Sequence, residues 1–322
     1  MKNKKLLTLS INVMMFSLLF LSVVQAQDTT EKPIIVCTTS AVGSIVEECL
    51  GDTADIVVLV QPGLCPADFD MKPSDVYAVS NAEILFKQGI QGEFWLDDLL
   101  ESAGNDGLTQ VVIPGAYNTP SGAKNYINWV GGNLSQLLGV DLDSKISEML
   151  TEVDTVSSWM TTQAETLDAA NVKVICMGWL KTFIESVGFN VVATYNSPET
   201  LSAGDITDLL TTAQNEGVAL VVDNLQLDAE FGAGIASQVG AEHIVLTNFP
   251  GAIPNTETLA KMFSYNAEQL FNATNTWQST SALKAENTDL QNQVTLFQTT
   301  TSLALVAVAV MAVLLYVARK KR

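Results

Sequence analysis

The chain is short of the residues that most catalytic and binding centres need. Its 322 residues include one histidine, His243. A cage of two or three imidazoles cannot be built from it. Arginine is absent between Gln27 and Gln298, and occurs only at Arg319 and Arg322. Arginine is the usual bidentate clamp for carboxylate and phosphate groups, so a site for amino acids, phosphate or organic acids is not expected. No Gly-rich phosphate loop, zincin motif, Gly-x-Ser-x-Gly elbow or Cys-x-x-Cys pair occurs. Asp68 and Asp70 lack the further acids and terminal Glu of a calcium loop. The chain therefore does not read as an enzyme, and His243, placed just before a strand at the end away from any cleft, reads as structural.

Charge is one-sided. The net charge is −19. Between Gln27 and Gln298 there are nine lysines, no arginine and all 35 acids, a net −26. Such a surface draws cations and repels nucleic acid and anionic lipid. A solubilising or salt-adapted surface would have the same composition.

Basic residues instead mark the two ends. Lys2, Lys4 and Lys5 precede an apolar run from Leu6 to Val24, and Val24-Gln25-Ala26 fits a cleavage site. Residues 1–26 thus read as a signal peptide, with a membrane anchor as the alternative. Ser302–Ala318 is almost wholly apolar and ends on Arg319–Arg322. With Thr299–Thr301 it reaches about 20 residues, enough to cross ~30 Å of hydrocarbon. Residues 299–318 read as a transmembrane helix and 319–322 as a cytoplasmic tail, which places the body outside the cell. A GPI signal is the alternative, but it would lack the basic cluster.

An exported body permits disulfides. Cys37, Cys49, Cys65 and Cys176 allow three pairings, a Cys37–Cys65 bridge among them, and buried core thiols are the alternative. Asn133-Leu134-Ser135 and Asn272-Ala273-Thr274 are glycosylation sequons.

Strand and helix patterns alternate along the body. Strands are expected at Pro33–Thr38, Ala54–Val60, Ile84–Lys87 and Thr109–Ile113. Helices are expected at Val42–Leu50, Ser74–Ser80 and Phe94–Ser102. Two helices follow with no strand between them, Ser121–Leu138 and Asp143–Leu167. Alternation resumes with strands at Val172–Met177, Val191–Thr194, Ala219–Asp223 and Ile244–Leu246. Their helices fall at Leu180–Val187, Asp205–Asn215, Ala229–Val239 and Thr256–Asn272. The fold class is α/β: two lobes, each a parallel sheet with flanking helices, joined by a long backbone helix. In residues, 33–118 form the first lobe, 119–140 the linking helix, 141–275 the second lobe and 276–298 a stalk. Gly131-Gly132 inside the linking helix calls for close packing or a kink. In the stalk, Leu283, Asn287, Leu290, Val294 and Phe297 alternate four and three apart. That is a heptad seam under three heptads long, so a plain helical or disordered spacer fits as well. Ligands on open parallel sheets bind beyond the carboxyl ends of the strands, which here means the cleft between the lobes.

Thr38–Ser40, Pro62–Phe69, Pro73–Asp75 and Asn81–Phe86 resemble the strand end, the Pro-Gly-x-x-Pro-His loop, the Pro-Ser-Asp helix start and the Asn-Ala-Asp-Leu strand of one family. It is the zinc/manganese (TroA-like) solute-binding proteins of ABC importers. Ser202–Asp223 resembles its Ser-x-x-Asp-Leu helix and the following strand, so the likeness covers the body. The resemblance implies capture of a metal ion outside the cell and delivery to an ABC permease and its ATPase. Its four metal ligands fall on Ala67, Gly115, Met177 and Thr247 or Asn248, none of them histidine or a carboxylate. Tight Zn²⁺ or Mn²⁺ binding at that inherited site is not expected.

Cys65 and Cys176 lie within two residues of lost ligands, and with Met177 they offer soft donors of the kind that select Cu(I). Asp68, Asp223 and Asn248 offer oxygens on the same loops, so Cys65, Asp68, Cys176, Met177, Asp223 and Asn248 form the candidate metal set. A non-metal solute walled by Trp179, Tyr117 and Phe249 is the alternative cargo. The leading functional reading is a membrane-tethered solute-binding component of an ABC importer. The alternatives are a degenerate binding fold kept for adhesion or interaction at the cell surface, and a redox protein using a cleft disulfide.

Overall fold

The computed structural model describes residues 32–90 and 92–320. The expected signal peptide, Lys321 and Arg322 lie outside the described residues. In chain order the first lobe comprises β1 (Ile34–Thr39), α1 (Ser40–Leu50), β2 (Asp55–Val60), α2 (Pro73–Asn81), β3 (Ile84–Lys87), α3 (Leu96–Ala103) and β4 (Thr109–Val112). Two long helices follow, α4 (Pro120–Leu138) and α5 (Asp143–Thr166). The second lobe is β5 (Lys173–Met177), α6 (Lys181–Val187), β6 (Asn190–Tyr195), α7 (Ala203–Glu216), β7 (Leu220–Asn224), α8 (Phe231–Val239) and β8 (Glu242–Leu246). A last helix, α9, runs from Leu259 to Lys320.

Each lobe holds a four-stranded sheet, ordered β2-β1-β3-β4 and β6-β5-β7-β8. All pairings are parallel. In such sheets helices cover both faces, so the central strands are apolar throughout rather than alternating. β1 reads Ile-Ile-Val-Cys-Thr-Thr and is buried from Ile35 onward. β7 is buried over its whole length.

Local chemistry sets the helix starts. Pro73 opens α2, and the Asp75 carboxylate accepts from the Lys72 N–H at 2.8 Å. Thr119 Oγ1 accepts from the Gly122 N–H at 3.1 Å at the head of α4. At α7 a capping box forms, with Ser202 Oγ accepting from Asp205 N–H and Asp205 Oδ2 accepting from Ser202 N–H.

One apolar core runs through both lobes. It joins Ile35 and Phe86 of the first sheet to Tyr126, Val130 and Leu134 of α4, to Met149, Val153 and Met160 of α5, and to Ile175, Phe183 and Phe263 beyond. A second cluster, including Val36, Leu85, Trp95 and Leu99, covers the other face of the first sheet. Gly131 is the point of close approach: a Cβ there would lie 2.6 Å from the Ile146 side chain, whereas Gly132 faces open space.

Two details differ from the sequence expectation. The final helix and the stalk are not separate pieces. α9 is continuous for 62 residues, roughly 93 Å at the helical rise per residue. Its first turns bury Leu259, Met262, Phe263, Leu270 and Phe271. From Ala282 to Lys320 every residue is exposed, the seam residues Leu283, Leu290, Val294 and Phe297 included. It is also the one helix among the described residues long and apolar enough to cross a membrane. His243 lies inside β8 rather than before it.

Candidate functional site

The carboxyl ends of the two sheets meet, and the loops that leave them are joined by direct hydrogen bonds. Ser40 Oγ, at the end of β1, donates to the Pro250 carbonyl at 2.8 Å. The Tyr117 hydroxyl donates to the Asn248 carbonyl at 2.6 Å, and its ring stacks on Phe249 at 6.2 Å. Gln226, after β7, donates from Nε2 to the Pro62 carbonyl at 2.9 Å and to Thr247 Oγ1 at 2.8 Å. Its Oε1 accepts from the Asn248 N–H at 3.1 Å. Asn118 Nδ2 donates to the Trp179 carbonyl at 3.2 Å. Every side chain in these cross-lobe contacts is neutral. Burial pushes the Tyr117 hydroxyl far above its ordinary range, partly offset by a hydrogen bond with Gln88, so it remains a donor.

On the first-lobe side, Thr39 Oγ1 donates to Gln88 Oε1 at 2.5 Å, and the Gln88 N–H donates to Thr38 Oγ1 at 3.1 Å. The segment after β3 is clamped to the segment after β2. Trp95 Nε1 donates to the Pro66 carbonyl at 2.8 Å, and its ring lies 4.2 Å from that of Phe69. A Cβ at Gly92 would stand 3.2 Å from the Ala67 main-chain N. Neither Gln88 nor Gln226 belongs to a motif in the sequence. Gln88 directly follows β3 and Gln226 lies two residues beyond β7, which was a usable signal.

The residues of the expected metal set lie in different surroundings. Asp68 is exposed on a 3₁₀ turn whose N–H donates to the Cys65 carbonyl at 2.9 Å. Cys65 is buried; that burial, with Asp68 nearby, raises its thiol, and main-chain donors pull it back in part. Cys176 is sealed within β5, its thiol pushed up to about 12 by burial and then by Glu185, against Lys181. Met177 Sδ accepts from the Trp179 N–H at 3.4 Å. Asp223 is fully buried and engaged inside its own lobe. Its Oδ2 accepts from the Gly232 N–H at 2.8 Å and lies 2.7 Å from His243 Nε2, while Oδ1 accepts from the Tyr195 hydroxyl. The single histidine is thereby paired with a carboxylate. Asn248 contributes main-chain groups to the lobe contact. Gly115 holds a left-handed φ of 87°, and its carbonyl accepts from the Tyr126 hydroxyl at 3.0 Å.

All four cysteines are free and buried, so the Cys37–Cys65 bridge weighed from the sequence does not form. Among the described residues, no group of three or more His, Cys, Asp or Glu side chains is arranged to hold a metal ion.

The family described as zinc-uptake complex component A, periplasmic, matches residues 35–273. The chain belongs to this family. Among curated relatives it is similar to the manganese-binding lipoprotein MntA of Halalkalibacterium halodurans, 21% identical over 233 residues, covering 65% of this chain and 76% of that protein. Among solved structures it resembles the periplasmic zinc-binding protein TroA of Treponema pallidum, with a TM-score of 0.66 and 16% identity over 76% of this chain and 99% of the other. It also resembles the Mn-bound periplasmic metal-binding protein of Candidatus Liberibacter asiaticus, with a TM-score of 0.64 and 14% identity over 76% and 100%. At these identities the solved structures establish the two-lobe fold.

Proposed function

We propose that the chain is the membrane-tethered, extracellular capture subunit of an ABC importer, taking a transition-metal ion or a complex of one. The observation that carries this reading is the apposition of the two sheet ends, bridged by Tyr117–Asn248 and Ser40–Pro250. A ligand that adds contacts to both lobes favours the closed arrangement over an open one. Three observations support the remainder. Residues 35–273 match a zinc-uptake family. α9 carries an apolar segment ending in Arg319 and Lys320, which fits a span with its basic end in the cytoplasm. The acidic body concentrates cations near its surface. A permease and an ATPase are the partners this reading requires.

Two ligand sets are available in place of imidazole. Cys65, Cys176 and Met177 would suit Cu(I), but metal binding would have to drive off thiol protons that burial holds on. The oxygens of the strand-end loops need no such step and suit harder cations.

The direct bonds between the lobes favour a second reading, a permanently closed fold kept for surface interaction. Whole-cell metal content separates the two. Deleting the gene in metal-limited medium should lower one transition metal, and restoring the full chain should recover it. A chain ending before Thr299 should not. Unchanged contents of all transition metals would contradict import and favour the surface role.

A further inference from the structure

From Ala282 to Lys320 every residue of α9 is exposed, yet its stalk carries large apolar side chains. Leu283, Leu290, Val294 and Phe297 are each more than half exposed. With Asn287 they lie on one line, spaced four, three, four and three residues apart. Leu296 is the one large apolar residue between Leu283 and Gln298 that lies off this line. A solvated spacer has no need of such a stripe, and exposed apolar surface of this kind marks a contact.

The residue choice along the stripe points to its occupant. A repeat of 3.5 residues keeps one helix face against a partner helix, with heptad positions a and d forming the seam. Placing Asn287 at a puts Val294 at a, and Leu283, Leu290 and Phe297 at d. A β-branched residue at a with leucine at d favours two parallel strands, and a single asparagine at a fixes their register. In register, Asn287 meets its own counterpart and the two amides pair. A shifted register would bury each amide against apolar side chains with no partner. The flanking residues agree. Those facing across the seam are Ser279 with Lys284, Glu286 with Gln291, and Gln293 with Gln298, and none sets like charges together. A body of net charge −26 repels its copy, whereas the stalk from 283 to 298 carries only Lys284, Glu286 and Asp289.

The tether in the reading above gives every copy the same end in the membrane, so two stalks meet in parallel. Confinement to one plane also removes part of the freedom that association costs. The same spacing runs on into the apolar segment through Thr301, Ala304, Val308, Met311 and Leu315. Small residues such as Thr301 and Ala304 let two spans approach closely. We propose that the stalk of α9 is a homodimerisation surface: two copies of this chain pair as a parallel, in-register coiled coil over residues 283–297, continued by their apolar segments. The pairing shares the membrane tether with the proposed function and does not depend on the cargo.

The test is disulfide trapping of the full chain in its own membranes. Single cysteines are introduced on the seam, as Leu283→Cys and Phe297→Cys, and away from it, as Ala285→Cys and Asn292→Cys. All four native cysteines are buried, so wild type gives the background. After oxidation with diamide, both seam variants should run as covalent dimers, and both off-seam variants should stay monomeric like wild type. Positions 283 and 297 lie roughly 21 Å apart along the helix. Trapping at both requires parallel chains in register, because a disulfide needs Cα atoms within about 7 Å. Adding Leu290→Asp to Phe297→Cys should lower the trapped fraction roughly tenfold or more, since a buried leucine is lost from each chain. The melting temperature of the body, which the stalk does not touch at Leu290, should not change. Equal trapping on and off the seam, or no trapping at either seam position, would overturn the pairing. A crosslinked product of another mass would put a different protein on the seam and would also overturn it. Alkaline carbonate extraction of the same membranes tests the tether by itself. A chain that stays in the pellet untrapped overturns the pairing alone, whereas one that washes off untrapped overturns both.

Discussion

The Tyr117 hydroxyl and the Asn248 carbonyl, 131 residues apart, form a 2.6 Å hydrogen bond that ties one lobe to the other. Because burial keeps the phenol protonated, this bond persists across the physiological pH range. Tyr117→Phe keeps the ring stacked on Phe249 and removes only the donor. The loss should cost about 0.5–1.5 kcal/mol of closed-state stability. A lower melting temperature and a larger radius of gyration by small-angle scattering are expected. Identical scattering curves would mean that this bond does not hold the lobes together.

Gly131 and Gly132 are neighbours in α4 with opposite surroundings. Gly131→Ala puts a methyl 2.6 Å from Ile146 and should destabilise by about 1–3 kcal/mol through overpacking. Gly132→Ala meets nothing within 4 Å and should stabilise by about 0.5–1 kcal/mol, the difference in helix propensity. Urea unfolding of the two variants should move the midpoint in opposite directions. A shift of the same sign in both would refute the packing assignment.

Glu48 lies half-buried on α1, its carboxyl pushed up to about 7 by burial and then by Glu152, with Lys261 opposing. The folded protein therefore holds this proton above the pH at which the unfolded chain releases it. Stability from this group is full below about pH 4.5 and is lost as pH rises through about 7. Glu48→Gln should leave the melting temperature nearly unchanged at pH 4. At pH 8 it should raise stability by on the order of 2 kcal/mol, after allowance for solvent screening. A constant difference across that range would contradict the assignment.

Much of this architecture could be read from residue patterns. The strand Ile84–Lys87 has the expected ends, and the close packing called for at Gly131-Gly132 is found at Gly131. The continuity of α9 was also written in the chain, since neither Gly nor Pro occurs between Leu259 and Lys320; the composition shift from packed helix to polar stalk concealed it. The environment of the site was less legible. Asp223 sits near a strand end, but its oxygens are taken by Tyr195, His243 and Gly232, partners brought in from β6, β8 and α8. The burial of Gln226 carries no local signal, because its partners come from other loops: the Pro62 carbonyl, Thr247 Oγ1 and the Asn248 N–H. Burial of that kind is tertiary and leaves no periodicity to read.

The most direct measurement is native mass spectrometry of the full chain, purified in detergent without chelators and then dialysed against a weak chelator. The account predicts one transition-metal ion per chain, restored to stoichiometry when metal is added back. A chain that stays metal-free under equimolar and tenfold excess metal would contradict it.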